Sequence, residues 1–202
     1  MRAAQPQEME RGPLTPTAGA HLLYARVMGD AWFLLAEPIR ALHTNQASTC
    51  ARGSLRIERG RHPLARIIAC AFRLPSAAAA TRTELAVTAH EDRERWERTF
   101  GGRRVETWQS SNRSELVERY GVLEFCFRLH ACSGRLVYVQ RQAAMRIGPL
   151  RVRLPGHLAP HVEASEHAVA PARVNISVRI SISGIGLLIA YDGVVDVAAA
   201  ST

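Results

Sequence analysis

Glu94, Arg98 and Glu118, with Trp96 and Tyr120 beside them, are the residues whose types and placing could do chemistry. A carboxylate held in a cleft can serve as general acid or base. An arginine can take a carboxylate or phosphate head group through its planar fork. Three of the five lie in "RERWERTFGGRRVETW", residues 93–108, where Gly101-Gly102 reads as a two-residue hairpin turn. That turn makes Phe100 face Arg103, Arg98 face Val105, Trp96 face Thr107 and Glu94 face Gln109. One face then carries Arg93, Arg95, Glu97, Thr99, Arg104, Glu106 and Trp108, nearly all charge, and belongs in water apart from the tryptophan. The inner face carries Glu94 and Arg98, which lie about 13 Å apart along an extended strand and cannot satisfy each other. Each needs another partner, because an unpaired buried charge is costly. In "ELVERYG" Leu116, Glu118 and Tyr120 share a face, so Glu118 can approach Arg98.

Two readings of this constellation stand side by side. In one, the charges sit at a sheet rim, reach solvent or close an ion pair. In the other, the inner face lines a cavity, and Glu94, Arg98 and Glu118 are the few polar anchors of an otherwise apolar pocket, with Trp96 and Tyr120 in its wall.

Other chemistry is weaker. "HLAPHVEASEH" offers His157, His161, Glu163 and His167 to a metal, but Pro160 interrupts the helix that an i,i+4 histidine pair requires. As a strand it spreads His161, Glu163 and His167 over about 20 Å, so no metal site is expected. "GIG" at 184–186 lacks the third glycine and following helix of a dinucleotide fingerprint and reads as a bend or bulge. Cys50, Cys70, Cys126 and Cys132 show neither C-x-x-C spacing nor an activating motif. No cofactor is implied.

All 26 cationic residues are arginine and the net charge is +8. The arginines are scattered with acids nearby, with no basic stripe along the sequence, so no nucleic-acid partner is expected. The longest apolar run, Ile185 to Ala190, falls far short of the roughly 20 residues that span a bilayer. With no signal peptide and no disulfide spacing, a cytoplasmic setting with free thiols is the expectation.

These side chains must be held by a sheet. Residues 1–17, polar with Pro6, Pro13 and Pro16, read as a flexible leader, and 18–197 as a single β-rich domain. Helical spacing covers 19–28, with Gly29 as its stop, and a short stretch from Pro38. "SLRIERG" alternates as a strand and is followed by the amphipathic helix of "HPLARIIACAFRL". Strands are then expected near 83–90, 93–100, 103–110, 114–120, 122–131, 135–146, 149–154, 161–168, 173–183 and 186–196. Gly101-Gly102, Ser111-Asn112, Ser133-Gly134 and Asp192-Gly193 are the turn signals. "RVNISVRISIS" shows the pattern best, with Val174, Ile176, Val178, Ile180 and Ile182 on one face. A meander of this length must curl to bury its apolar face. The expected fold is α+β and β-rich: a strongly curved antiparallel sheet, a barrel or half-barrel of calycin-like or START-like kind, with N-terminal helices and one helix inserted after the first strand. No long C-terminal helix is present, which favours the barrel over the helix grip.

"RGSLRIERGRHPLARIIACAFRLP", "ERWERTFGGRR", "LVERYGVLEFCFRLHACSGRLVY" and "LPGHLAPHVEASE" together resemble a bacterial family, domain of unknown function 4166, over about residues 20 to 195. The matching residues are Arg52, Gly53, Gly60, Pro63, Arg95, Trp96, Phe100, Gly101, Glu118, Gly121, Pro155, Pro160 and Glu166. The resemblance implies no activity. Because that domain also occurs joined to dehydrogenase-like or epimerase-like Rossmann domains, it implies an accessory or small-molecule-binding role, with a Rossmann-type oxidoreductase as a candidate partner in trans. Three expectations follow: a module binding a lipophilic small molecule, an enzyme acting on such a molecule through Glu118 or Glu94, or an accessory interaction module.

Overall fold

The computed structural model describes residues 22–44 and 49–198; the expected leader at 1–17 lies outside them. Alternation of apolar and polar residues sets in at Thr49, and from there the described residues form eleven strands. They are β1 (Thr49–Arg59), β2 (Ala78–His90), β3 (Arg93–Phe100), β4 (Arg103–Asn112), β5 (Glu115–Tyr120), β6 (Leu123–Cys132), β7 (Arg135–Ile147), β8 (Leu150–Arg153), β9 (Pro160–Ala170), β10 (Arg173–Ile182) and β11 (Gly186–Val197). All neighbours run antiparallel, in the order β6-β5-β4-β3-β2-β1-β11-β10-β9-β7, and pairing of β6 with β7 closes the ring. The result is a closed barrel of ten strands with β8 as a spur folded back on β7. Closure leaves no free edge in the ring, which removes the aggregation hazard of a long curved sheet.

The β3–β4 hairpin has the expected register, with Glu94 opposite Gln109, Trp96 opposite Thr107 and Arg98 opposite Val105. Gly101 and Gly102 both take positive φ, +55° and +90°, which a two-residue turn of this hand requires and which side chains with a Cβ resist. Two turn signals are corrected. The strand runs through Ser111-Asn112, and the turn falls two residues later, at Arg113-Ser114, with Arg113 at φ +55°. Asp192-Gly193 makes no turn at all: Gly193 lies inside β11 opposite Leu55, where a Cβ would overlap the Ser54 carbonyl oxygen.

Consecutive strands alternate in direction, so their connections collect at two ends. One end is stoppered by α1 (Leu23–Met28), a 3₁₀ turn (Gly29–Leu34) and α2 (Glu37–His43). Leu23, Tyr24, Val27, Trp32, Leu35, Ile39 and Leu42 of this plug are all buried. Removing such side chains from water is the main favourable term holding the short helices in place, since pieces of six or seven residues are not stable alone. The backbone N–H of Ala36 donates to the carbonyl of Gly134 at the β6–β7 turn, fastening the plug. Pro38 enters at the first turn of α2, where a missing N–H costs nothing.

The opposite end is crossed by α3 (Pro63–Ala71), inserted after β1 as the sequence pattern indicates. His62 caps it by accepting the Leu64 N–H at 3.2 Å, and Ala65 and Ala69 are its buried residues, Ala65 against Ile182 and Leu188. Phe72 just beyond it stacks near Tyr120, whose hydroxyl donates to the Phe72 carbonyl. The loop 154–159 closes part of the same end. Among the described residues no helix is long and apolar enough to cross a membrane.

The outward face of β3–β4 satisfies its own charge. Glu97 accepts from Arg95 at 2.8 Å and Arg104 at 2.7 Å, and Trp108 is accommodated by its bond to Glu106 and by Arg93 over its ring at 5.3 Å.

Candidate functional site

The barrel is hollow between its two closures. A cavity of about 410 Å³ runs from the plug to α3, within the range that holds a small ligand. Its wall is mostly carbon, with Leu85 from β2, Phe125 and Phe127 from β6, and Ile176, Val178 and Ile180 from β10. These positions face inward because each strand alternates. Ile68 and Phe72 from the α3 segment, with Leu154 and Leu158, stand over the open end.

Into this wall project a few polar groups. Arg98 donates Nη1 to Thr107 Oγ1 at 2.9 Å and lies 3.4 Å through Nη2 from Glu118 Oε1, with its guanidinium 5.4 Å from the centre of the Trp96 ring. Both Arg98 and Glu118 line the cavity, with 19% and 18% of their side chains accessible. Burial works against the Arg98 charge, but Glu118 outweighs it, joined by Tyr191, Tyr24 and Tyr138, and the guanidinium is held more firmly charged than usual. The pair is thus a neutral couple on a hydrocarbon wall, with donors and acceptors still open to the cavity.

Next to it runs a buried hydrogen-bonded chain. Tyr24, fully buried, donates to Gln109 Oε1 at 2.9 Å, and its oxygen lies 3.2 Å from that of Tyr138. Tyr138 donates to Glu166 Oε1 at 2.9 Å, and Glu166 Oε2 is 2.7 Å from His43 Nε2. Desolvation pushes both phenols well above their ordinary pKa, reinforced by Glu166, so both stay protonated. At Glu166 desolvation pulls upward, but His43 and the Tyr138 hydroxyl outweigh it and hold the carboxyl below its ordinary value. The plug is therefore pinned to the barrel by polar bonds as well as by packing.

The structure brings Trp96, Arg98, Glu118 and Tyr120 to the cavity wall. Glu94 shares their face but lies outside the lining, buried beside α1, where its Oε2 accepts from Trp96 Nε1 at 2.9 Å. Burial raises the Glu94 carboxyl, against the lowering by Trp96, His43 and the Leu23 backbone N–H. His161 and Glu163 are exposed on the outer side of β9, with His157 exposed in the preceding loop.

Tyr24, His43, Tyr138 and Tyr191 were not singled out by sequence reasoning. Tyr138 and Glu166 had a usable signal, because each continues the inward alternation of its strand, Leu136–Tyr138 and Val162–Ala164–Glu166. Tyr24 and His43 had none, since nothing local says that their short helices enter a barrel.

By fold and interior this chain is a closed antiparallel β-barrel with an apolar internal cavity. It belongs to the family described as Domain of unknown function (DUF4166), whose model matches residues 35–195. The family-like glycines have structural reasons: a Cβ at Gly53 would overlap the Val194 carbonyl oxygen, and one at Gly60 that of Leu187. No curated protein and no solved structure matches the chain.

Proposed function

We propose that this protein is a binding module for a lipophilic small molecule held inside the barrel. The observation that carries the proposal is the 410 Å³ of apolar-walled space. Left unfilled, a wall of that kind is apolar surface facing void or poorly bonded water, which a lipophilic ligand would cover. Water finds few partners against such a wall.

The polar groups narrow the ligand. Glu118 already balances the Arg98 charge, and the ionised Glu166 stands nearby, so a carboxylate or phosphate head group would add unbalanced negative charge to a low-dielectric interior. The Arg98–Thr107–Glu118 cluster suits a neutral oxygen-bearing end, one that can accept from the guanidinium and donate to the carboxylate. The ligand is thus a neutral, mostly hydrocarbon molecule with a hydroxyl or carbonyl terminus, of lipid or polyketide-like character. Organic extraction of the purified protein followed by mass spectrometry tests this: a retained hydrophobic compound near one per chain is expected. A chain that arrives empty and binds no neutral apolar dye would end the proposal.

One observation favours the enzyme reading as second. Tyr138 reaches the cavity and is backed by Glu166 and His43, an arrangement able to move a proton to or from a bound ligand. If that reading holds, Tyr138→Phe abolishes conversion of the extracted compound while leaving its binding intact. Nothing in the geometry selects the oxidoreductase-partner reading over these two.

A further inference from the structure

We propose that the α3 end of the barrel docks on anionic lipid bilayers, so that the cavity exchanges its ligand directly with the membrane. This rests on the ligand-binding reading above and adds its partner. Three observations converge on that end.

The first is charge. The segments that build this end are 60–75, 101–103, 121–123, 146–159 and 183–186. They contain Arg61, Arg66 and Arg73 around α3, Arg103 at the β3–β4 turn, and Arg146, Arg151 and Arg153 on the β7–β8 hairpin, with no Asp or Glu. Of the acids just beyond these segments, Glu124 is held by Arg146 and Arg151 and Glu58 by Arg56. Arg61, Arg66 and Arg153 are exposed and make no ion pair among the described residues. The plug end is nearly balanced: in 22–44 and the turns at 91–93, 113–115, 133–135 and 171–173, Arg26, Arg40, Arg93, Arg113, Arg135 and Arg173 stand with Asp30, Glu37, Glu91, Asp92 and Glu115. The arginines look scattered along the sequence because the fold collects them: alternate turns go to the same end.

The second is apolar exposure. On this same end Ile67 is 63% exposed, Ile147 61%, Leu150 60% and Leu158 58%, with Leu64 and Val122 beside them. Such side chains standing between cations match the surface of a monotopic protein, where hydrocarbon tips enter the acyl boundary and cations meet lipid phosphates. A nucleic acid or an acidic protein would answer the charge but leave the aliphatic tips in water. A second copy of this chain would answer the tips but oppose like charge.

The third is continuity with the interior. Ile68 and Phe72 line the cavity, while Leu64 and Ile67 of the same segment stand exposed. Leu158 does both, lining the cavity and standing exposed. The apolar surface therefore passes from outside to inside at the one place where a water-insoluble ligand must enter.

The test is co-flotation of the whole chain with vesicles of phosphatidylcholine alone, or with about one-third phosphatidylglycerol, at low and high salt. Binding of Nile red in vesicle-free buffer and a thermal melt are run alongside. The wild type is expected to float with the anionic vesicles at least about tenfold more strongly than with neutral ones, and to be released by salt. Arg66→Glu/Arg153→Glu is expected to weaken this by more than about 25-fold, at roughly fivefold per surface cation. Ile67→Ser/Leu150→Ser is expected to weaken it by about tenfold. Neither pair touches the cavity wall, so Nile red affinity stays within about twofold and shows that each variant is folded. Absent flotation with intact dye binding overturns the docking alone. Sensitivity to the arginines but not to Ile67 and Leu150 also overturns it, in favour of a polyanion partner. Flotation without dye binding overturns the ligand reading and the delivery role together.

Discussion

Replacing Ala164 by phenylalanine separates a hollow barrel from a filled one by the sign of a free energy. Ala164 lies on the inner face of β9, opposite Val178 of β10 and Tyr138 of β7, and lines the cavity. If the space beyond its methyl group is real, the ring enters it without displacing the wall. The added carbons then leave water or void at roughly 0.8 kcal/mol each, about 5 kcal/mol gross. Side-chain ordering and imperfect fit reduce this to a net gain of about 1–3 kcal/mol. For a chain of this size that is a rise in Tm of roughly 3–10 °C. Nile red affinity should fall at least about tenfold in the same variant, because the ring takes part of the ligand's place. Urea unfolding, a thermal melt and a dye titration read all three quantities. If the interior were packed, the ring would instead strain it, at a cost of about 1–3 kcal/mol. A destabilised Ala164→Phe with unchanged dye affinity would refute the reasoning.

Arg98→Met leaves Glu118 uncompensated on the cavity wall and should cost about 2–4 kcal/mol in urea unfolding, somewhat below a fully buried pair because both side chains keep some accessible surface. Arg98→Met/Glu118→Leu should recover most of the loss, and two additive costs would show that the pair is not coupled. A long-chain alcohol should displace Nile red more strongly than the fatty acid of equal length at neutral pH, and the reverse order would show that Arg98 takes a carboxylate after all. Burial raises the Glu94 carboxyl in the folded state, so its contribution to stability declines as pH rises from the ordinary carboxylate value through the raised folded one. Glu94→Gln, which still offers Trp96 an acceptor, should therefore be relatively more stable than wild type at pH 7 than at pH 4, as read by Tm at the two values. Glu166 has the opposite sign: its folded pKa is lowered, so its contribution is complete above the ordinary carboxylate range and is lost as pH falls below it. Glu166→Gln should then cost more at pH 7 than near pH 3.

Much of this barrel is legible in the residues because a strand reports its own faces. The Gly101-Gly102 turn fixes the β3–β4 register, and that register with the alternation in "ELVERYG" brings Glu118 to Arg98. What is illegible depends on contacts between distant segments. Closure through β6 and β7 includes a register shift at Cys126–Phe127 that no local pattern announces. Glu124, outward by alternation, is buried because Arg146 and Arg151 lie across it from the β7–β8 hairpin. Tyr24 and His43 read as ordinary residues of short amphipathic helices, and they become part of the interior only because those helices stopper the barrel. Glu94 looks equivalent to Arg98 by strand parity, yet the plug covers one and leaves the other on the cavity wall.

A high-resolution crystal structure of the protein as purified tests the central claim most directly, through the density inside the barrel. Continuous density of an elongated molecule is expected between the Arg98–Glu118 pair and Phe72, with one polar end at the pair. Inward collapse of Phe125, Ile176 and Val178 into mutual contact, leaving no room for anything larger than water, would contradict it.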